Sequence, residues 1–151
     1  MAEISYQVEN WIDCKREIIP LVERHFYECN VGDGRKEFSL DEQSMDNMQS
    51  LGMLHLTTAR NDDGLIGYIV NIIIRPLLHD GKCSYHLGWF VSETHRKSKV
   101  GVTLLKKSEE FLREFGVDRM TGMHTDQLDA SAVFQRLGWK HIEHHYSKWV
   151  N

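Results

Sequence analysis

Proline is scarce in this chain of 151 residues: only Pro20 and Pro76 occur. No Pro/Gly/Ser-rich linker, internal repeat or low-complexity tract interrupts the sequence, so one domain over residues 1–151 is expected. Cysteine is also scarce. Cys14, Cys29 and Cys83 are odd in number and widely spaced. That excludes a disulfide framework and leads us to expect a reducing cytoplasm. The longest apolar run, "LIGYIVNIII", falls well short of the ~20 residues that span a bilayer, and it carries Asn71. The opening "MAEISYQVENWIDCK" holds early acids and no apolar core, so neither a signal peptide nor a membrane is expected. Basic excess is missing too: 18 Lys and Arg stand against 22 Asp and Glu, a net charge of −4. That argues against a general nucleic-acid binder. What is present is a globular share of hydrophobic residues, 41%, and nine histidines.

Periodicity divides the chain into elements. "ISYQV" reads as a first strand. "NWIDCKREIIPLVERHFYEC" has Trp11, Ile18, Leu21, Val22 and Phe26 at helical spacing, with Pro20 expected to kink or split it. A Gly-rich loop, "NVGDGRKEFS", precedes a polar helix, "LDEQSMDNMQSLG". Three strands follow, "MLHLTTAR", "LIGYIVNIII" and "CSYHLGWFV", joined by the turn signals "NDDG" and "HDGK". In "KVGVTLLKKSEEFLREFG", Val100, Leu104, Leu105, Phe111, Leu112 and Phe115 form one apolar stripe, and Gly116 is placed to end the helix. "DRMTGMHT" is a short strand. "DASAVFQRLG" is a helix with Asp126 or Asp129 as N-cap and Gly138 as C-cap, and "WKHIEHHYSKWV" reads as a last strand. Hairpins followed by a β-α-β crossover predict an α/β fold: a mixed, mostly antiparallel sheet flanked by helices on both faces.

The chemistry concentrates in "WFVSETHRKSKVGVTLL", residues 89–105. An apolar strand ends at Val91. Arg96, Lys97 and Lys99 then crowd in front of Gly101 at a helix start. Free N–H groups and the positive end of the helix dipole attract anions there, and the cations add charge-assisted contacts. The same segment also reads as a nucleic-acid surface or as a solvated basic turn.

Arg96-Lys97-Ser98-Lys99-Val100-Gly101 resembles the Q/R-x-x-G-x-G/A signature of the GNAT superfamily of acyl-CoA N-acyltransferases. "QLDASAVFQRLGW" resembles that family's N-x-x-A-x-x-x-Y-x-x-x-G-F, with Ala130, Gly138 and Trp139 matching. The likeness covers residues 50–140. It implies transfer of an acetyl group from acetyl-CoA to a primary amine, of a small molecule or a protein, in a direct ternary complex. By resemblance, Arg96, Lys97, Ser98, Lys99, Val100, Gly101 and Val102 cradle the pyrophosphate. Trp89, Phe90 and Val91 pair with the pantetheine, and Gln127 and Phe134 stand at the downstream contact positions.

Three departures are notable. Lys99 replaces a glycine, which costs about 1 kcal/mol if the backbone there needs positive φ. Phe134 replaces a tyrosine that protonates the leaving thiolate, a loss softened by a thiol pKa of about 8.5. Only one strand or tight hairpin fits after the second motif, so an incomplete sheet edge is expected, which a homodimer would complete. A base or water chain must take the amine's proton. His124 and His86 are the side-chain candidates, with Tyr85 and Glu93 behind them, and Tyr146 stands in for the missing acid. Asp33, Glu37, Asp41 and Glu42 are candidates to attract a cationic amine. "HIEHHY" offers poor geometry for one ion, so no metal is expected. Two alternatives stay open: a non-catalytic module of the same fold that binds CoA or a partner protein, and a nucleic-acid binder using Arg96, Lys97, Lys99, Lys106 and Lys107.

Overall fold

The computed structural model describes residues 3–151. Its sheet has five strands: β1 (Ser5–Glu9), β2 (Leu54–Asn61), β3 (Gly64–Ile74), β4 (Cys83–Val91) and β5 (Arg119–Thr121). They lie in chain order. The first four are antiparallel, and β5 joins β4 in parallel. The helices are α1 (Trp11–Glu28), α2 (Glu42–Ser50), α3 (Val100–Glu114) and α4 (Ser131–Arg136). The mixed sheet flanked on both faces is the architecture the patterning predicts.

Two apolar layers hold the sheet. On one face Trp11, Cys14 and Ile18 of α1 and Met45 of α2 meet Leu54, Leu56, Tyr68, Val70 and Phe90. On the other, Val100, Leu104 and Leu105 of α3 and Phe134 of α4 meet Ala59, Ile66, Ile69 and Val91. Val100, Leu104, Leu105 and Leu112 of the α3 stripe are buried as the spacing predicts, while Phe111 is half-buried and Phe115 exposed. Gly116 and Gly138 end α3 and α4 in the left-handed conformation.

Four sequence readings need correction. Pro20 neither splits nor ends α1, which runs through it as one helix. Pro20 faces solvent, so water can satisfy the carbonyl that loses its partner. Neither Asp126 nor Asp129 is the N-cap of α4. Asp129 instead accepts from the Ser131 N–H at 2.8 Å, one residue outside the cap. β5 is only three residues long. Residues 139–151 form no strand, because no sheet backbone is aligned beside them. Ile142, Tyr146 and Val150 on that segment are exposed.

Candidate active site

β4 and β5 separate soon after they meet. Their pairing comprises Cys83 with Arg119, Ser84 with Met120 and Tyr85 with Thr121. Beyond that, β4 runs on to Val91 with no strand on this edge. Its register against β3 also slips. Val70 lies opposite Gly88 and Asn71 opposite His86, so Leu87 is an extra residue in a β-bulge. Ser92 N–H donates to Ile66 O at 2.8 Å. Strand alternation then turns the N–H groups of Val91 and Trp89 toward the open edge. An extended ligand bearing amides fits such an edge as an added strand.

The start of α3 adjoins the end of β4. The first helical bond runs from Thr103 N–H to Lys99 O, and Ser98 Oγ accepts from the Val100 N–H at 3.2 Å. The Gly101 and Val102 N–H groups are left for a ligand. Lys99 has φ −77° and ψ −2°, ordinary right-handed values, so lysine in place of glycine carries no strain. Lys97 and Lys99 are exposed, and among the described residues neither forms an ion pair. Arg96 is committed elsewhere. Its Nε donates to Val91 O at 2.8 Å, its guanidinium pairs with Glu28, and it lies 5.1 Å from the Phe90 ring. It ties the end of α1 to the end of β4. A Cβ at Gly101 would meet the Trp89 and Val91 side chains at 3.6 Å, ordinary contact in the α3 layer.

Phe134 forms the floor of the gap. Its ring lies 5.9 Å from Trp89, 6.3 Å from His124 and 5.0 Å from Trp139. It also fills the place a side chain at Gly122 would take. Residues 89, 124 and 134, singled out from sequence, therefore meet across the two separating strands. Both nitrogens of His124 face oxygen, Nδ1 at 3.2 Å from Thr125 O and Nε2 at 3.5 Å from Asp129 Oδ1.

The other catalytic candidates lie elsewhere. His86 is 4% exposed on the α3 face, and its Nε2 has no partner. Burial pushes its pKa down to about 4, and nearby His25 adds to the drop. It is a neutral core histidine that an acceptor cannot reach. Tyr146 is 93% exposed on the C-terminal segment, apart from the gap. The "HIEHHY" stretch, read as part of a last strand, has no strand geometry. Instead the His141 and His144 rings lie 4.7 Å apart. Among the described residues no three His, Cys, Asp or Glu are grouped to hold a metal.

A pair missed in the sequence lies on the α1 face. His25 Nδ1 is 2.8 Å from Tyr68 Oη, and its ring lies against Gly88 at the bulge. Burial holds the Tyr68 hydroxyl well above its usual range and His25 below its own, with Glu28 opposing the latter. The Tyr68 hydroxyl therefore stays protonated. Among the described residues its one hydrogen-bond partner is Nδ1, to which it donates, so the His25 proton sits on Nε2. The helical progression Trp11, Cys14, Ile18, Val22, His25 was the available signal.

All four acidic candidates have structural partners, Asp33 through the Trp149 indole N–H. Asp41 caps α2 through Ser44, Glu42 pairs with Lys15 at 3.6 Å, and Glu37 accepts from Tyr27 at 2.7 Å. Asp33 alone lines a cavity of ≈ 520 Å³, together with Cys29, Gln127 and Lys148. Gln127 thus stands on the α1 side, away from the start of α3.

A split parallel pair, an open bulged strand and a bare helix start thus adjoin at the end of β4. Comparison with known proteins gives the chain its family. The acetyltransferase (GNAT) family profile matches residues 19–139, and the chain belongs to that family. It is thus an N-acetyltransferase by family, and its acceptor is unidentified. A search among curated proteins finds no significant relative. Solved structures share the fold. A predicted acetyltransferase with acetyl-CoA from Clostridium acetobutylicum has TM-score 0.77 at 11% identity, covering 98% of this chain and 97% of that one. A GCN5-related N-acetyltransferase from Ralstonia eutropha has TM-score 0.76 at 17%, covering 99% and 100%. An aminoglycoside acetyltransferase from an uncultured soil metagenomic sample, in complex with sisomicin, has TM-score 0.73 at 16%, covering 97% and 96%.

Proposed function

We propose that the chain transfers an acetyl group from acetyl-CoA to a primary amine in a direct ternary complex. The observation that carries this reading is the open, bulged edge of β4 running into the bare start of α3. On this reading the Gly101 and Val102 amides hold the pyrophosphate, with Lys97 and Lys99 adding charge. The pantetheine lies along Trp89 to Val91. An N–H of that edge polarises the thioester carbonyl. The amine enters from the α1 side, past Asp33. His124 is the titratable group that the reacting atoms reach, and it relays the proton from the amine to the departing thiolate. Phe134 supplies shape rather than a proton. The open outer edge of β5 supports a homodimer, which sedimentation would test.

Acetyl-CoA titration tests the central reading. At about 100-fold its Kd, the ligand should add about 2.7 kcal/mol of stability. CoA release is then followed across an amine panel. Gly101→Glu should abolish the stabilisation, because it would put carboxylate bulk and charge beside the amides proposed to hold the pyrophosphate. Gly101→Ala should keep the fold and weaken binding. Unchanged acetyl-CoA binding by Gly101→Glu would overturn the placement.

A further inference from the structure

The C-terminal segment does not lie free. Trp149 Nε1 donates to Asp33 Oδ2 at 3.2 Å. The Arg35 guanidinium lies 5.7 Å from the centre of the indole ring, and Lys36 Nζ lies 6.0 Å from it. These contacts fasten residue 149 to the loop after α1, and so they bring residues 147–149 onto the wall of the ≈ 520 Å³ cavity.

That cavity lies between the end of α1, whose His25 packs against Gly88 of β4, and the residues that follow β5. One wall is the last turn of α1 and the residues after it, including Cys29. The same turn sets His25 against Gly88 of β4 and joins Glu28 to Arg96. The facing wall includes Gln127, just after β5. The bare start of α3 lies on the opposite face of the sheet from α1. A ligand along β4 and an amine from this cavity therefore approach from opposite sides.

The cavity lining contains one primary amine, Lys148. Among the described residues Lys148 has no ion pair or hydrogen bond. Other lysines are placed differently: Lys15 pairs with Asp46, Lys107 with Glu110, and Lys82 bonds Phe115 O. Lys97 and Lys99 stand at the α3 side.

We infer that Lys148 is an acceptor for the chain's own acetyl transfer, so that the molecule modifies its C-terminal segment. The inference rests on the acetyl-CoA reading above. Neutral Lys148 Nζ attacks the thioester carbonyl. The C–N bond forms and the C–S bond breaks. CoA leaves as thiolate and receives the proton that the amine gives up, so Nζ-acetyl-lysine and free CoA are the products. The anchor at Trp149 makes the step intramolecular, with an effective amine concentration on the order of millimolar.

The test uses the full chain with acetyl-CoA, intact mass and peptide mapping. Lys148 should gain one acetyl group faster than any other lysine, at a rate per molecule unchanged by about tenfold dilution of the protein. Lys148→Arg should remove that label and keep the acetyl-CoA-induced thermal shift. Trp149→Ala, at an anchor outside the proposed CoA and proton-relay contacts, should slow labelling about tenfold. Chain unfolded in urea gives the chemical background. Labelling of Lys148 no faster than that background, or at a rate that scales with protein concentration, would overturn the inference. A retained thermal shift without the label would overturn this inference alone. No thermal shift would overturn the acetyl-CoA reading and this one with it.

Discussion

Lys99 occupies a glycine position of the family pattern, yet its backbone is right-handed and unstrained. Lys99→Gly should therefore leave the unliganded melting temperature nearly unchanged. It should weaken acetyl-CoA binding about fivefold, the share of one exposed contact worth ~1 kcal/mol. Calorimetry measures this, and tighter binding would mean that Lys99 obstructs the ligand. His124→Gln should lower kcat by about 10²-fold with little change in KM, as for a group acting in proton transfer. An equal loss in acetyl-CoA affinity would instead assign His124 to binding. Tyr68→Phe strips the hydroxyl from His25 Nδ1 and leaves a largely buried nitrogen unpaired. Urea unfolding should show a loss of about 1–3 kcal/mol.

Elements were legible where local pattern decides and illegible where distant backbone decides. The α3 stripe at Val100, Leu104, Leu105 and Leu112 is buried as read, because helical spacing is a local property. The bulge in β4 carried a local sign too, since Gly88 is an isolated glycine in a strand pattern. The length of β5 and the fate of residues 139–151 carried none. A strand needs a partner edge, and periodicity cannot supply one. The basic turn running into the start of α3 was readable from residues 96–101. The His25–Tyr68 pair was not, because it joins a helix to a strand 43 residues away. Pro20 gives a prediction at this scale. It sits in the interior of α1 without an N–H to donate, and interior proline costs up to ~3 kcal/mol. Pro20→Ala should raise stability by about 1–3 kcal/mol in urea unfolding. A loss would show that the ring's packing outweighs the missing bond.

At the scale of the whole molecule, acid sensitivity should begin before the carboxylates titrate. His55 and His86 are buried, and burial pushes both pKa values down to about 4. Their unfolded value is about 6.5. Between these limits the unfolded chain binds more protons than the folded one, so stability rises with pH. It should be complete above pH 6.5 and fall as pH drops toward 4. Urea midpoints measured across that window should slope accordingly, and a flat profile would refute neutral burial. Replacing either histidine with glutamine should flatten the slope. The same layout gives the molecule built-in optical reporters. Trp11 is fully enclosed, Trp89 and Trp139 flank Phe134, and Trp149 rests between a carboxylate and two cations. Emission from the second and third would register cofactor entry, and from the fourth detachment of the tail, against a steady signal from the first.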